Sequence, residues 1–164
     1  MATRIQVLVP ITIAAFIVGI AGVLSLPSDV KLESTEFPKG LVKLDGRVLE
    51  VQVADTDSRR ARGLMFQEKL SFDEGMLLVF DEASKNSIWM LNMQFPLDII
   101  WIDDNGRVVF IEKNVPPCLT ALETVTCPSY KGGNKSAKYI LEVTAGFVDE
   151  FNITTESTLE IISI

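Results

Sequence analysis

The residues best equipped for chemistry sit in LDIIWID, Leu97 to Asp103, and in the earlier SRRARG. In an extended LDIIWID, alternation puts Asp98 on one face with Ile100 and Ile102. A carboxylate among apolar side chains is buried, and a buried carboxylate must be neutral or paired. Arg59 and Arg62 are candidate partners, each offering a planar fork matched to a carboxylate. Asp98 can then polarise a ligand or act as acid/base, with Arg62 stabilising negative charge. The same residues can instead form a structural ion pair or cap backbone N–H groups, which is the simpler use of them.

A second candidate lies in SIWMLNM, where Trp89 and Asn92, with Trp101 nearby, can line an aromatic-walled pocket. Aromatic walls with one or two polar groups suit small organic or sugar-like ligands. Trp89 and Asn92 are three apart and face opposite ways on a regular strand, so this pocket requires a bulge or a strand end. Core packing is the competing use of these aromatics. Met65, Met90 and Met93 are read as packing residues in preference to a copper site. The predicted ligand-binding residues are therefore Arg62, Trp89, Asn92 and Asp98, and no catalytic residue is assigned.

The chain has no histidine, which excludes Ser-His-Asp and Cys-His nucleophiles and H-E-x-x-H zinc sites. Neither a Walker loop nor G-x-G-x-x-G occurs, and the reading assigns no metal and no cofactor. Cys118 and Cys127 are the two cysteines. A disulfide is the favoured reading, with a metal pair or a redox dithiol as alternatives.

Beyond these residues, the N-terminus sets location. Residues 5–26 are uncharged and largely apolar, and at helical rise they span roughly 33 Å, enough for a bilayer core of about 30 Å. Residues 1–28 are expected to form an anchor, with a cleaved signal and secretion as the alternative. Arg4 precedes the run, and no basic cluster stands just beyond it. This favours a single-pass cell-membrane protein with its N-terminus inside and its C-terminal domain outside. Every other charge lies after residue 28, and the net charge is −7. Nucleic acid is an unfavourable partner for such a chain. The expected partners are a small molecule or an extracytoplasmic protein.

Residues 29–46 are polar, punctuated by Pro38 and Gly40, and read as a tether leading to the first strand. Residues 47–164 read as one extracytoplasmic β-rich domain. RVLEVQVA alternates as a half-buried strand, and MLLVF is continuous enough for burial on both faces. Strands are also predicted over Ser87 to Met93, Leu97 to Asp103, Arg107 to Val115, Tyr139 to Thr144 and Thr158 to Ile164, with a hairpin turn at Asp103-Asp104-Asn105-Gly106. Short helices follow Asp55-Thr56 and occupy the stretch from Gly146 to Phe151. The predicted class is α+β: a single compact domain dominated by a rolled or barrel-like, mainly antiparallel sheet with two short helices, behind an N-terminal transmembrane helix.

VADTDSRRARGLMF, DEGMLLVF, WMLN followed by PLDIIWID, DNGRVV, NVPPC and YILEVTAGFVDE occur in that order. In these pieces the chain resembles the prokaryotic family known as domain of unknown function 192. The resemblance implies a compact β-rich domain, often exported, of unestablished activity. Its recurring positions would be Arg62, Gly63, Met65, Trp89, Met90, Asn92, Pro96, Asp98, Asp103 and Cys118. Where the family pattern flanks the Asn with Lys and Thr, this chain has Leu91 and Met93. Two functional classes follow: a membrane-anchored binding or interaction module, which the sequence favours, and a carboxylate-based enzyme using Asp98 with Arg62.

Overall fold

The computed structural model describes residues 36–164 apart from residue 120. The expected anchor at residues 1–28, with its span at 5–26, lies outside the described residues. Among those described, no helix is long and apolar enough to cross a membrane.

The sheet starts inside the stretch read as a tether. β1 (Lys39–Leu44) and β2 (Arg47–Ala54) form an antiparallel hairpin. Its turn uses Asp45 and Gly46, both at positive φ, as a two-residue hairpin loop requires. β1 belongs to the domain because Gly40, Val42 and Leu44 alternate inward. Its lysines pair across the strands instead of solvating a linker: Lys43 reaches Glu160 at 2.8 Å, and Lys39 bonds Glu50.

After β2, Thr56 caps α1 (Asp57–Arg62), its hydroxyl oxygen accepting from the Arg59 N–H at 3.3 Å. Gly63 at φ 49° stops the helix. This segment carries the chain over to β3 (Glu74–Ser84), which runs parallel to β2. A parallel neighbour cannot be reached by a tight turn, so a crossover must intervene. β4 (Ile88–Trp89), β5 (Leu97–Ile102) and β6 (Val108–Val115) follow. Next come α2 (Ala121–Thr126), β7 (Ser129–Tyr130), β8 (Ala137–Thr144), α3 (Phe147–Glu150) and β9 (Leu159–Ser163).

Seven strands form one sheet in the order β6-β5-β8-β3-β2-β1-β9, and β4 and β7 form a second, two-stranded one. The two predicted helices are found as α1 and α3, while α2 lies within the Cys118–Cys127 loop, where no helix was expected.

The barrel-like expectation is corrected, because the sheet is open. Its edge strands meet at one corner, where Arg107 bridges Thr158 and Leu159 donates to the Gly106 carbonyl at 2.7 Å. β9 spends the rest of its pairing on β1, so no ladder closes the circuit. The strand expected over Ser87 to Met93 also shortens to Ile88–Trp89, and Asn92 at φ 56° turns the chain away.

The central strands are covered on both sides. Ile100, Ile102, Leu141 and Val143 pack on one face with Phe147 and Val148 of α3. Ile99, Trp101, Met76 and Ile140 pack on the other with Leu64, Met90 and Met93. Trp101 belongs to this second core instead of a pocket wall: it is fully buried, and its indole N–H donates to the Asn86 carbonyl at 3.1 Å.

Gly132 lies flat against that ring. A Cβ there would sit 2.6 Å from Trp101, and φ of 54° strains any other residue. Gly132→Ala should lower the melting temperature, with a loss of about 2 kcal/mol in denaturant unfolding.

Candidate functional site

On the second face of the sheet, under the end of α1, is a cavity of about 340 Å³. Arg60, Arg62 and Leu64 wall it from α1 and the helix exit, Phe80 from β3, Trp89 from β4 and Ser129 from β7. Glu142 of β8 also lines it.

Glu142 is the chemically distinctive group here. Its strand neighbours are Met76 of β3 and Ile99 of β5, both fully buried, and it is itself 4% exposed. No described residue donates a hydrogen bond to its carboxylate. Burial pushes its pKa up to about 8, so at neutral pH the cavity is lined by a carboxylic acid, a donor as well as an acceptor. The backbone comes close to it at Gly63, where a Cβ would lie 4.0 Å from Glu142 Oε2.

The walls are held by independent means. The Arg60 guanidinium donates to the carbonyls of Asp55 at 2.8 Å and Val79 at 2.6 Å, pairs with Asp57 and stacks 5.1 Å from the Phe80 ring centre. Arg62 is exposed, with its guanidinium 6.0 Å from the Phe37 ring. Trp89 pairs with Ser129 and stays half exposed at the rim. Behind it, the Cys118 N–H donates to the Met90 carbonyl at 3.0 Å, and Leu91 bridges Cys118. Cys118 and Cys127 form the disulfide, with Cα atoms 5.9 Å apart. The crosslink therefore fastens the loop preceding β7 to the segment that carries Trp89.

Of the four predicted binding residues, Arg62 and Trp89 come together at the cavity. Asn92 does not line it. Its left-handed backbone makes the turn, and its carbonyl accepts from Phe66 N–H at 3.0 Å.

Asp98 is also elsewhere, on the opposite face with Ile100 and Ile102. Its oxygens accept from three backbone N–H groups: Asn114 at 2.8 Å, Gly146 at 3.0 Å and Val148 at 2.9 Å. It joins β5 to β6 and to the start of α3, as a backbone-capping carboxylate. The expected pairing of Asp98 with Arg62 is absent because the sheet lies between them.

Glu142 was missed by sequence reasoning, although the signal that marks Asp98 marks it too. In YILEVT it alternates with Ile140 on one face while Leu141 and Val143 hold the other.

Fold and cavity together define a small β-rich domain with a buried carboxyl group in a walled pocket. The family model DUF192, Uncharacterized ACR, matches residues 40–161, and the chain belongs to that family. A UPF0127 protein of Thermococcus sibiricus is 31% identical over 102 residues, 62% of this chain, and the chain spans 59% of that relative's length. A solved structure from Sinorhizobium meliloti 1021, described as a candidate transcription regulator, is similar at TM-score 0.66 and 30% identity, covering 77% of this chain and 95% of that one. A protein of unknown function from Novosphingobium aromaticivorans DSM 12444 is similar at TM-score 0.64 and 26% identity, covering 74% and 84%.

The two carboxylates should respond differently to substitution. Asp98→Ala leaves the buried Val148 N–H and the part-buried Asn114 and Gly146 N–H groups without their acceptor, so it should cost on the order of 3 kcal/mol in denaturant unfolding. Glu142 acts through pH. Its pKa is raised from 4.5 to about 8 by burial, so between those values the unfolded chain gives up a proton that the folded chain keeps. Stability should therefore fall as pH rises through this window. Glu142→Gln should remove that slope, so that melting curves of variant and wild type diverge by a few kcal/mol toward pH 8.

Proposed function

We propose that this chain is a membrane-anchored binding module whose ligand enters the cavity beneath α1 and bonds to Glu142. The observation that carries the reading is a carboxyl group 96% buried yet without a donor from any described residue, facing open volume. Buried polar groups in folded proteins are almost always satisfied. The Glu142 oxygens reach the cavity surface, so their hydrogen bonds are completed by what enters it. The volume falls at the lower end of the range for small-molecule sites, and the lining mixes apolar walls with few polar groups, as such sites do.

The apolar run at residues 5–26 and the disulfide support an anchored domain in an oxidising compartment. The net charge of −7, with Arg59 and Arg60 already paired to Asp55 and Asp57, weighs against a nucleic-acid partner.

Native mass spectrometry of the full chain, extracted gently from its host's membranes, tests both parts. We expect an intact mass that includes residues 1–28 and a reproducible added mass that is lost on denaturation. Ala61→Trp, which places a large ring in the cavity wall, should lose the added mass while keeping the fold. A clean ligand-free mass for the wild type overturns the binding reading, and a mass lacking the N-terminal segment overturns the anchor.

A further inference from the structure

We propose that the cavity selects a small organic amine, whose ammonium group lies against the Glu142 carboxylate while its apolar body fills the space between Trp89, Phe80 and Leu64. The inference rests on the binding reading above and names the ligand's chemistry.

Glu142 has two oxygens and no donor from a described residue. A ligand offering a single hydroxyl would satisfy one of them. A primary ammonium carries three N–H donors and a full charge, so it can answer both oxygens and compensate the buried negative charge. Trp89 lines the same space, and an aromatic face favours a cation and the carbons next to it, while Phe80, already met by Arg60, adds apolar wall. The acidic chain draws cations toward it over longer range.

The charged groups that share the cavity with Glu142 are Asp57, Arg60 and Arg62, all from α1, while β3, β4 and β7 contribute none. Arg60 is neutralised by Asp57 at 2.6 Å and turned onto backbone carbonyls, so it does not compete for Glu142. Arg62 lines the cavity from the end of α1, where it is exposed.

In this arrangement, binding couples to a proton. The amine enters charged, so Glu142 must release its proton to solvent as the ion pair forms.

The test is calorimetry on the full chain with phenethylamine and its neutral counterpart phenethyl alcohol, between pH 6 and pH 8, in two buffers of different ionisation enthalpy. The expected result is that the amine binds at least tenfold more tightly than the alcohol and releases close to one proton near pH 6. Its affinity should rise nearly tenfold from pH 6 to pH 7 and about fivefold from pH 7 to pH 8. Glu142→Gln should weaken the amine at least tenfold and abolish the pH slope. Proton release in the wild type supplies the same answer should that variant fail to fold.

If the alcohol binds as tightly as the amine, or the amine binds without releasing a proton, the amine assignment is overturned and the cavity remains a binding site. If neither probe binds while native mass spectrometry still shows a cavity-dependent added mass, the amine assignment alone fails. If neither probe binds and no added mass exists, both readings fail together.

Discussion

β5 and β8, with the first half of β3, have almost no face toward water, and the rest of the structure answers to that constraint. A strand covered on both sides can carry a polar side chain only where something completes its hydrogen bonds. Two buried carboxylates fall on these strands, and their solutions differ. Asp98, beside Val143, is completed by three backbone N–H groups and so locks β5, β6 and α3 together. Glu142, beside Ile99 on the opposite face, is completed by no described residue and looks into a cavity. The same residue class at neighbouring positions therefore serves architecture on one side of the sheet and is left available on the other.

The cavity exists because the elements covering the second face cannot lie flush on it. α1 is only six residues long and buries none of them, so the chain beyond Gly63 must supply Leu64 as the plug. β4 is two residues long, and the left-handed Asn92 bends the following segment away. Arg60 is held by two carbonyls and Asp57, and its bond to the Val79 carbonyl ties α1 to β3. On the far side, the disulfide and the β4–β7 pairing hold Trp89 and Ser129 in place. Each wall is thus fixed by contacts of its own, so the cavity does not require Glu142 to organise it.

Much of the framework was legible because strand alternation is a local property. RVLEVQVA and the run around MLLVF have the periods their burial requires, and DDNG turns where a hairpin must. β1 was less visible, since Pro38, Gly40 and two lysines look like a linker until Glu50 and Glu160 are seen across the ladder. The short β4 and β7 carry too few residues for a period, and only their mutual pairing defines them. At the site, Trp89 and Arg62 are legible as an aromatic and a cation without a core role, whereas at Asn92 the sequence displays a polar side chain and the fold uses the left-handed backbone.

The sequence alone determined the composition of the domain, its mainly antiparallel strands, its family and the pairing available to two cysteines, because each depends on residue type and short-range spacing. It also showed that a carboxylate at Asp98 had to be buried and satisfied. Which partner satisfied it, which face it occupied, and that Glu142 would be the carboxyl group left facing open space were decided only by the tertiary structure. Alternation assigns a side chain to one of two faces, but the strand order β5-β8-β3 and the elements laid over each face determine what waits there. Hydrogen-bond donors from Asn114, Gly146 and Val148 converge from distant parts of the chain, so no local pattern of residues could have announced them.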